Sequence, residues 1–358
     1  MSILIFLIIV SALIIVHELG HFLVARKFGI RVDEFGLGFP PRAAKLFTWK
    51  NTPFTLNWLP FGGFVKIFGE NPNSEEGDTT SSESFVSKNR AIQSAVLIAG
   101  VAGNFLFAWA LFSLGFMTGI PAPASDFQTE NVRTLVTTVL PGSPAGDAGL
   151  RSGDAIISIS RGETASGLSP EEISLFIAQS EDPLVFGIDR GGEISEKTVV
   201  PETGIIGERP AVGISMELIG TAKLPPPEAL WQGLKTTSSL TLATASAIGS
   251  FIFEALGGKA DLSGITGPVG IVGMVGDARE LGFGYLLTFT ALISINLAVI
   301  NLLPFPALDG GRLLFVGIEA LTRRSIPARV ANVANSIGFA LLIFLMVLIT
   351  IQDVRNIF

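Results

Sequence analysis

The sequence predicts a membrane protein: an α-helical bundle of four transmembrane helices with a membrane-associated β-hairpin, plus one extracytoplasmic α+β domain. Three observations carry this. Only 15% of the 358 residues are charged, against about 25% in soluble domains, and the mean hydropathy is +0.56. Four stretches are apolar over lengths that can cross a bilayer, which takes about 20 helical residues. Between 130 and 220 the composition changes to that of a soluble domain, with short β-branched runs separated by Gly and Pro.

The first apolar stretch runs from Ser2 to Ala25 and stops at Arg26-Lys27. It does not read as a cleaved signal peptide: no basic residue precedes the apolar run, no small-x-small cleavage site follows it, and polar HELGH sits where a cut would fall. Residues 27–90 are basic, Gly-rich and irregular. Within them Thr55 to Ile67 (TLNWLPFGGFVKI) alternates partly around Pro60 and Gly62-Gly63, a hairpin signal with unusually apolar arms. Asn71 to Ser84 reads as a mobile polar loop. The second span is 91–118; its Gly100, Gly103 and Asn104 are small residues that let helices approach closely. In the 130–220 domain, Ser169-Pro170 is a cap and first-turn proline for the helical PEEISLFIAQ. The LPPP at 224–227 marks a boundary. Beyond it, 228–284 reads as an amphipathic extracytoplasmic helical segment, with one long helix over 228–256. The third span, 285–303, is ended by Pro304 and Pro306, and the fourth is 333–351. The domains are thus 1–118, 130–220, 228–284 and 285–358. Lys and Arg concentrate between the first and second spans and between the third and fourth. The positive-inside rule therefore places both loops in the cytoplasm and 130–280 outside.

A net charge of −7 argues against a nucleic-acid surface, which needs clustered Lys and Arg. There is no Cys, and the only two His are His17 and His21, so any His-ligated metal must use that pair. HELGH is an H-E-x-x-H motif: on a helix, residues i and i+4 share a face, so both imidazoles can hold one Zn²⁺, with Glu18 beside it to take a proton from the attacking water. Ionisable groups at membrane depth are costly and functional by default. The bland alternative, a pair of buried hydrogen-bonded histidines, leaves Glu18 unexplained. A catalytic zinc usually has three protein ligands. Without a third His or a Cys the remaining one is a carboxylate, and the best candidate is Asp309 in NLLPFPALDGG, at the cytoplasmic end of the third span. Taken without the histidines, Asp309 would read as a helix cap or turn residue.

HELGH in the first span, paired with NLLPFPALDGG after a later one, resembles the signature of the site-2 protease family of intramembrane zinc metalloproteases, of the regulator of sigma-E protease type. GLGFPP (Gly36 to Pro41), the hairpin around Asn57 to Val65 and the run ending at Asn104 extend the resemblance over nearly the whole chain. Leu140 to Ile159 resembles the turn and strand of a PDZ domain, present once rather than as a tandem pair. The resemblance implies zinc held by His17, His21 and Asp309, Glu18 as catalytic acid/base, and a single-span transmembrane protein as substrate, such as an anti-sigma factor or a signal-peptide remnant. It implies that Asn301 binds the substrate backbone. The strand carrying Asn57, Gly62, Gly63 and Phe64 would pair with the substrate by strand addition. Partners would be membrane lipid and, at the PDZ-like domain, a peptide C-terminus, unless that domain only excludes bulky ectodomains. A non-catalytic zinc-containing membrane scaffold is the alternative, and it has no use for Glu18. A transporter would need the inverted repeat that the four spans do not show.

Overall fold

A computed structural model describes residues 1–70, 81–179, 181–258 and 266–357; most of the predicted polar loop, 71–80, lies outside the described residues. The elements in chain order are α1 (Ser2–Lys27), β1 (Val32–Trp49), β2 (Thr52–Ile67), α2 (Arg90–Thr118), β3 (Ile120–Pro123), β4 (Thr129–Val139), α3 (Pro144–Asp147), β5 (Ala155–Arg161), β6 (Thr164–Ala165), α4 (Pro170–Ile177), β7 (Leu184–Arg190), β8 (Glu193–Val199), β9 (Glu202–Ile206), β10 (Arg209–Ala211), β11 (Ile214–Ala222), α5 (Pro226–Leu256), α6 (Pro268–Leu281), α7 (Phe283–Leu302), α8 (Asp309–Thr322) and α9 (Ala328–Ile357). Four of the described helices are long and apolar enough to cross a membrane: Ser2–Lys27, Arg90–Thr118, Phe283–Leu302 and Ala328–Arg355. They match the four predicted spans. On α9, Phe339, Leu341 and Phe344 are exposed, a surface that suits lipid rather than water.

The chain divides into two compact units. The first comprises Met1–Ser113, Leu230–Gly276 and Phe289–Phe358, and the second Leu114–Ala229 with Asp277–Thr288.

In the first unit, glycines set the contact between α1 and α2. A side chain at Gly20 would strike the Ala99 carbonyl, and one at Gly103 would meet the Val16 carbonyl at 2.9 Å. The buried core gathers Phe22 and Ala25 from α1, Val96 and Leu97 from α2, Val316 from α8, and Phe35 and Phe54 from the strands. Phe54 stacks on Phe35 and on Phe47, with centroids 4.8 and 4.5 Å apart.

Here the structure corrects two expectations. The predicted hairpin placed the two arms around Pro60–Gly63 side by side. Instead Phe35–Leu37 of β1 pairs with Phe54–Leu56 on one side and with Gly63–Val65 on the other, while 42–49 pairs back on 52–57. The β1 segment fills the gap because its buried Val32 and Phe35, brought to one side by the register shift after Val32, belong to the same core as Phe54 and Ile67. The expected short loop between the third and fourth spans contains the 14-residue α8. At about 1.5 Å per residue it is too short to cross about 30 Å of hydrocarbon, and it buries Val316 while Arg312 and Glu319 make ion pairs.

The second unit is built on a sheet ordered β3-β11-β4-β5-β7-β8, with β6 paired to β5. Its core is formed by Val136, Ile156, Ile159, Ile173, Phe186 and Ile188 with their neighbours. The expected helix at 170 is present, closed by a capping box between Ser169 and Glu172 with Pro170 in the first turn. The turn within GLRSGDAI is tied by Asp154. This fully buried carboxylate accepts from Arg190 Nε at 2.6 Å, Arg190 Nη2 at 2.8 Å and the Arg151 backbone N–H at 2.8 Å.

Candidate metal centre

The geometry follows from helix spacing. His17 and His21 are one turn apart on α1, both buried, with their Nε2 atoms 3.2 Å apart. Asp309 is the first residue of α8. Pro304 and Pro306 stop the preceding helix, and Ala307 takes a positive φ of 76°. Buried Gly310 and Gly311 let the chain turn against the carbonyls of Leu302, Leu303 and Phe305, where a side chain would collide. Asp309 Oδ2 then lies 2.9 Å from His17 Nε2 and 3.2 Å from His21 Nε2.

These residues fit a zinc ion. With bonds of about 2.0–2.1 Å, neighbouring N and O ligands of a tetrahedral zinc stand about 3.3 Å apart, close to all three separations. Apart from the two imidazole nitrogens themselves, buried Oδ2 finds no hydrogen-bond donor among the described residues, as a carboxylate oxygen reserved for a metal would. Among the described residues this is the one cluster of three or more His, Cys, Asp or Glu that could hold a metal. Gly100 of α2 faces it, and a Cβ there would lie 2.7 Å from Cε1 of each histidine, so glycine leaves the rings their room. On the far sides of the rings, His21 Nδ1 is 2.8 Å from the Val96 carbonyl, and His17 Nδ1 is 3.3 Å from the Asn104 amide. A ring N–H given to a carbonyl leaves Nε2 as the lone-pair donor a metal needs.

A cavity of about 170 Å³ opens onto this cluster, lined by His17, Glu18, His21 and Asp309 together with Phe64, Val65, Ile67, Glu70, Leu97 and Arg312. Glu18 faces β2: its Cγ is 4.0 Å from the point where a side chain on Gly63 would begin. Gly63–Val65 pairs with β1 on one side, and among the described residues no other strand pairs with it. Gly62 has φ +78°, in the left-handed region that glycine tolerates. Asn57 is placed differently: it is buried, its Nδ2 donates to the Gly38 carbonyl at 2.9 Å within the strands, and it does not line the cavity. Asn301, in the last turn of α7, is likewise absent from the lining.

Sequence reasoning missed Glu70 and Arg312, which form an ion pair on the cavity wall. Arg312 was within reach, since it stands three residues after Asp309 and shares its helix face. Glu70 was not, because nothing local links the end of β2 to α8.

An H-E-x-x-H helix joined by a carboxylate from a distant helix, within a chain carrying four membrane-length apolar helices, defines a class: a zinc-dependent protease of the membrane. Comparison with known proteins is consistent with this. The model of peptidase family M50 matches residues 5–345, and the chain belongs to that family, the site-2 proteases. It is 38% identical over 349 residues to the protein CPE1693 of Clostridium perfringens, covering 96% of each chain. It is 30% identical to zinc metalloprotease RasP of Geobacillus kaustophilus, over all of this chain and 98% of the relative. It is 28% identical to protease RseP of Yersinia pestis, over 97% of each.

Proposed function

We propose that this membrane-embedded zinc protease hydrolyses peptide bonds of single-span membrane proteins, in or near the membrane, as the second cut in regulated intramembrane proteolysis. Anti-sigma factors and signal-peptide remnants are the expected substrate classes. The observation that carries the reading is Glu18, held in one cavity between the His17–His21–Asp309 cluster and the Gly63–Val65 strand.

In this reading His17, His21 and Asp309 hold the zinc. When bound, the metal acidifies a water and polarises the scissile carbonyl. Glu18 accepts the proton of the attacking water and delivers it to the leaving amide nitrogen, which makes the cleavage irreversible once the amine departs. The strand Gly63–Val65 receives the substrate in extended form by strand addition, with Gly62, Gly63 and Phe64 at the contact. Substrate must be unwound first, because helical carbonyls are already hydrogen-bonded. Asn57 supports this strand from within, and Asn301 binds the substrate backbone after it enters. The protein resides in the inner membrane, with the zinc site near the cytoplasmic side and residues 130–220 outside as a single PDZ-like domain. That domain receives a peptide C-terminus or turns away bulky ectodomains.

The deciding experiment is Glu18→Gln. The variant is expected to accumulate and retain zinc, yet to lose cleavage of a co-expressed single-span substrate by at least about 10²-fold, the low end for removal of a general base. Cleavage at the normal rate would exclude the mechanism.

A further inference from the structure

Zinc chemistry requires each histidine to present Nε2 as a lone pair, so in the neutral ring the proton sits on Nδ1 and must be given to an acceptor. For His21 the acceptor is plain: the Val96 carbonyl at 2.8 Å. For His17, among the described residues, the group within hydrogen-bond distance of Nδ1 is the side-chain amide of Asn104 at 3.3 Å. Asn104 is completely buried. With its nitrogen towards the ring, two donors would face each other and Oδ1 is left buried without a partner. Turning the amide, whose two ends are alike in size, presents Oδ1 to the His17 N–H and pairs acceptor with donor. The backbone around it is also held: the Asn104 carbonyl accepts from Ser294 Oγ of α7 at 2.8 Å.

Val96, Gly100 and Asn104 are spaced four apart on α2, so they form one face. His21 and His17 meet that face at its two ends, and Gly100 between them leaves space for both rings. We propose that Asn104 is a positioning residue that sets the tautomer and the orientation of His17, accepting the Nδ1 proton through Oδ1 so that Nε2 points to the zinc. α2 thereby acts as a template for the metal helix, with one backbone acceptor and one side-chain acceptor. This rests on the reading of His17, His21 and Asp309 as the zinc ligands.

The chain has two histidines, so selective ¹⁵N-histidine labelling of the full-length protein in nanodiscs yields signals from His17 and His21 alone. The zinc-loaded wild type is expected to show both rings protonated at Nδ1. Asn104→Leu, close in size but without an acceptor, is expected to change the His17 signal, leave the His21 signal in place, and weaken zinc retention against a chelator by about 10–100-fold. Asn104→Asp, which keeps an acceptor, is expected to hold the His17 signal and to stay within about threefold of wild-type retention. The proposal is overturned if Asn104→Leu leaves the His17 tautomer and zinc retention unchanged. It is equally overturned if both variants disturb both rings alike, which would mean a packing role. A failure of the underlying ligand reading looks different: His17→Ala would then keep its zinc.

Discussion

Gly100 shows how much a single missing side chain decides. A Cβ at this position would sit 2.7 Å from Cε1 of both His17 and His21, inside any carbon–carbon contact distance. Alanine is the better helix former by about 1 kcal/mol, so intrinsic helix stability would improve while the metal site is crowded out. Gly100→Ala is therefore expected to fold and insert but to lose bound zinc and proteolysis together. Gly249→Ala in α5, where a Cβ meets nothing within 4 Å, should leave both unchanged. Metal content of the purified variants decides the matter, and full zinc occupancy in Gly100→Ala would contradict the geometry. At this same scale HELGH was fully legible, since two histidines four apart need only helical periodicity to meet. Asn104 was visible as a small residue in an apolar helix, but its partner was not. The distance between residues 17 and 104 exists only after α1 and α2 pack.

Among the elements, the β1–β2 sheet departs furthest from a simple hairpin. Its interleaved segments are joined by Glu34, which accepts from Arg42 Nη2 at 2.7 Å and from Thr55 Oγ1 at 2.6 Å. Partial burial alone would raise the Glu34 carboxyl, yet the hydrogen bonds from Arg42 and Thr55 prevail and hold it below its ordinary value. A lowered carboxylate adds stability above its unfolded pKa, and that stability disappears as pH falls through the folded value. Acidification below the ordinary carboxylate range, about 4.3, is expected to lower the hydrogen-exchange protection factors of the β1 and β2 amides, taken relative to the intrinsic rate at each pH. Glu34→Gln should show low protection at neutral pH and little further loss of protection on acidification. An unaltered pH response in that variant would assign the effect to other groups. The apolar alternation of 55–67 did identify strands here. It could not reveal that Phe35–Leu37 lies between them, because interleaving depends on which buried rings share a core. The helix α8 escaped notice for a related reason: its Gly-Gly start and short length resemble a turn until Val316 has a core to enter.

For the whole molecule, the metal cluster joins α1 to α8 across almost the full length of the chain. A ligand that binds only the folded state stabilises it by RT ln(1 + [L]/Kd), about 4 kcal/mol at a thousandfold excess over Kd. Chelation is expected to lower the unfolding temperature of the detergent-solubilised protein and to increase proteolytic sensitivity between 303 and 309, where Pro304, Pro306 and Ala307 carry the chain to Asp309. Asp309→Ala should unfold at the chelated temperature and gain nothing from added zinc. If chelation shifts wild type and Asp309→Ala equally, the metal acts elsewhere.

The sequence by itself determined the four membrane-length helices, the change to soluble-type composition between the second and third, and the His17–Glu18–His21 triplet; the absence of Cys and of a third His left a carboxylate as the remaining ligand type, with Asp309 the best candidate by its place at the end of the third span. These depend on composition, helical spacing and the absence of Cys and further His, all of which are local or countable. Only the tertiary structure decided that Asp309 Oδ2 and both Nε2 atoms converge within about a zinc ligand spacing, that Glu18 looks onto the Gly63 strand, and that Asn104 and Val96 back the two rings. Those facts rest on helices packing through glycine contacts and on strands sorted by a shared core, and such long-range pairings leave no periodic trace in the chain.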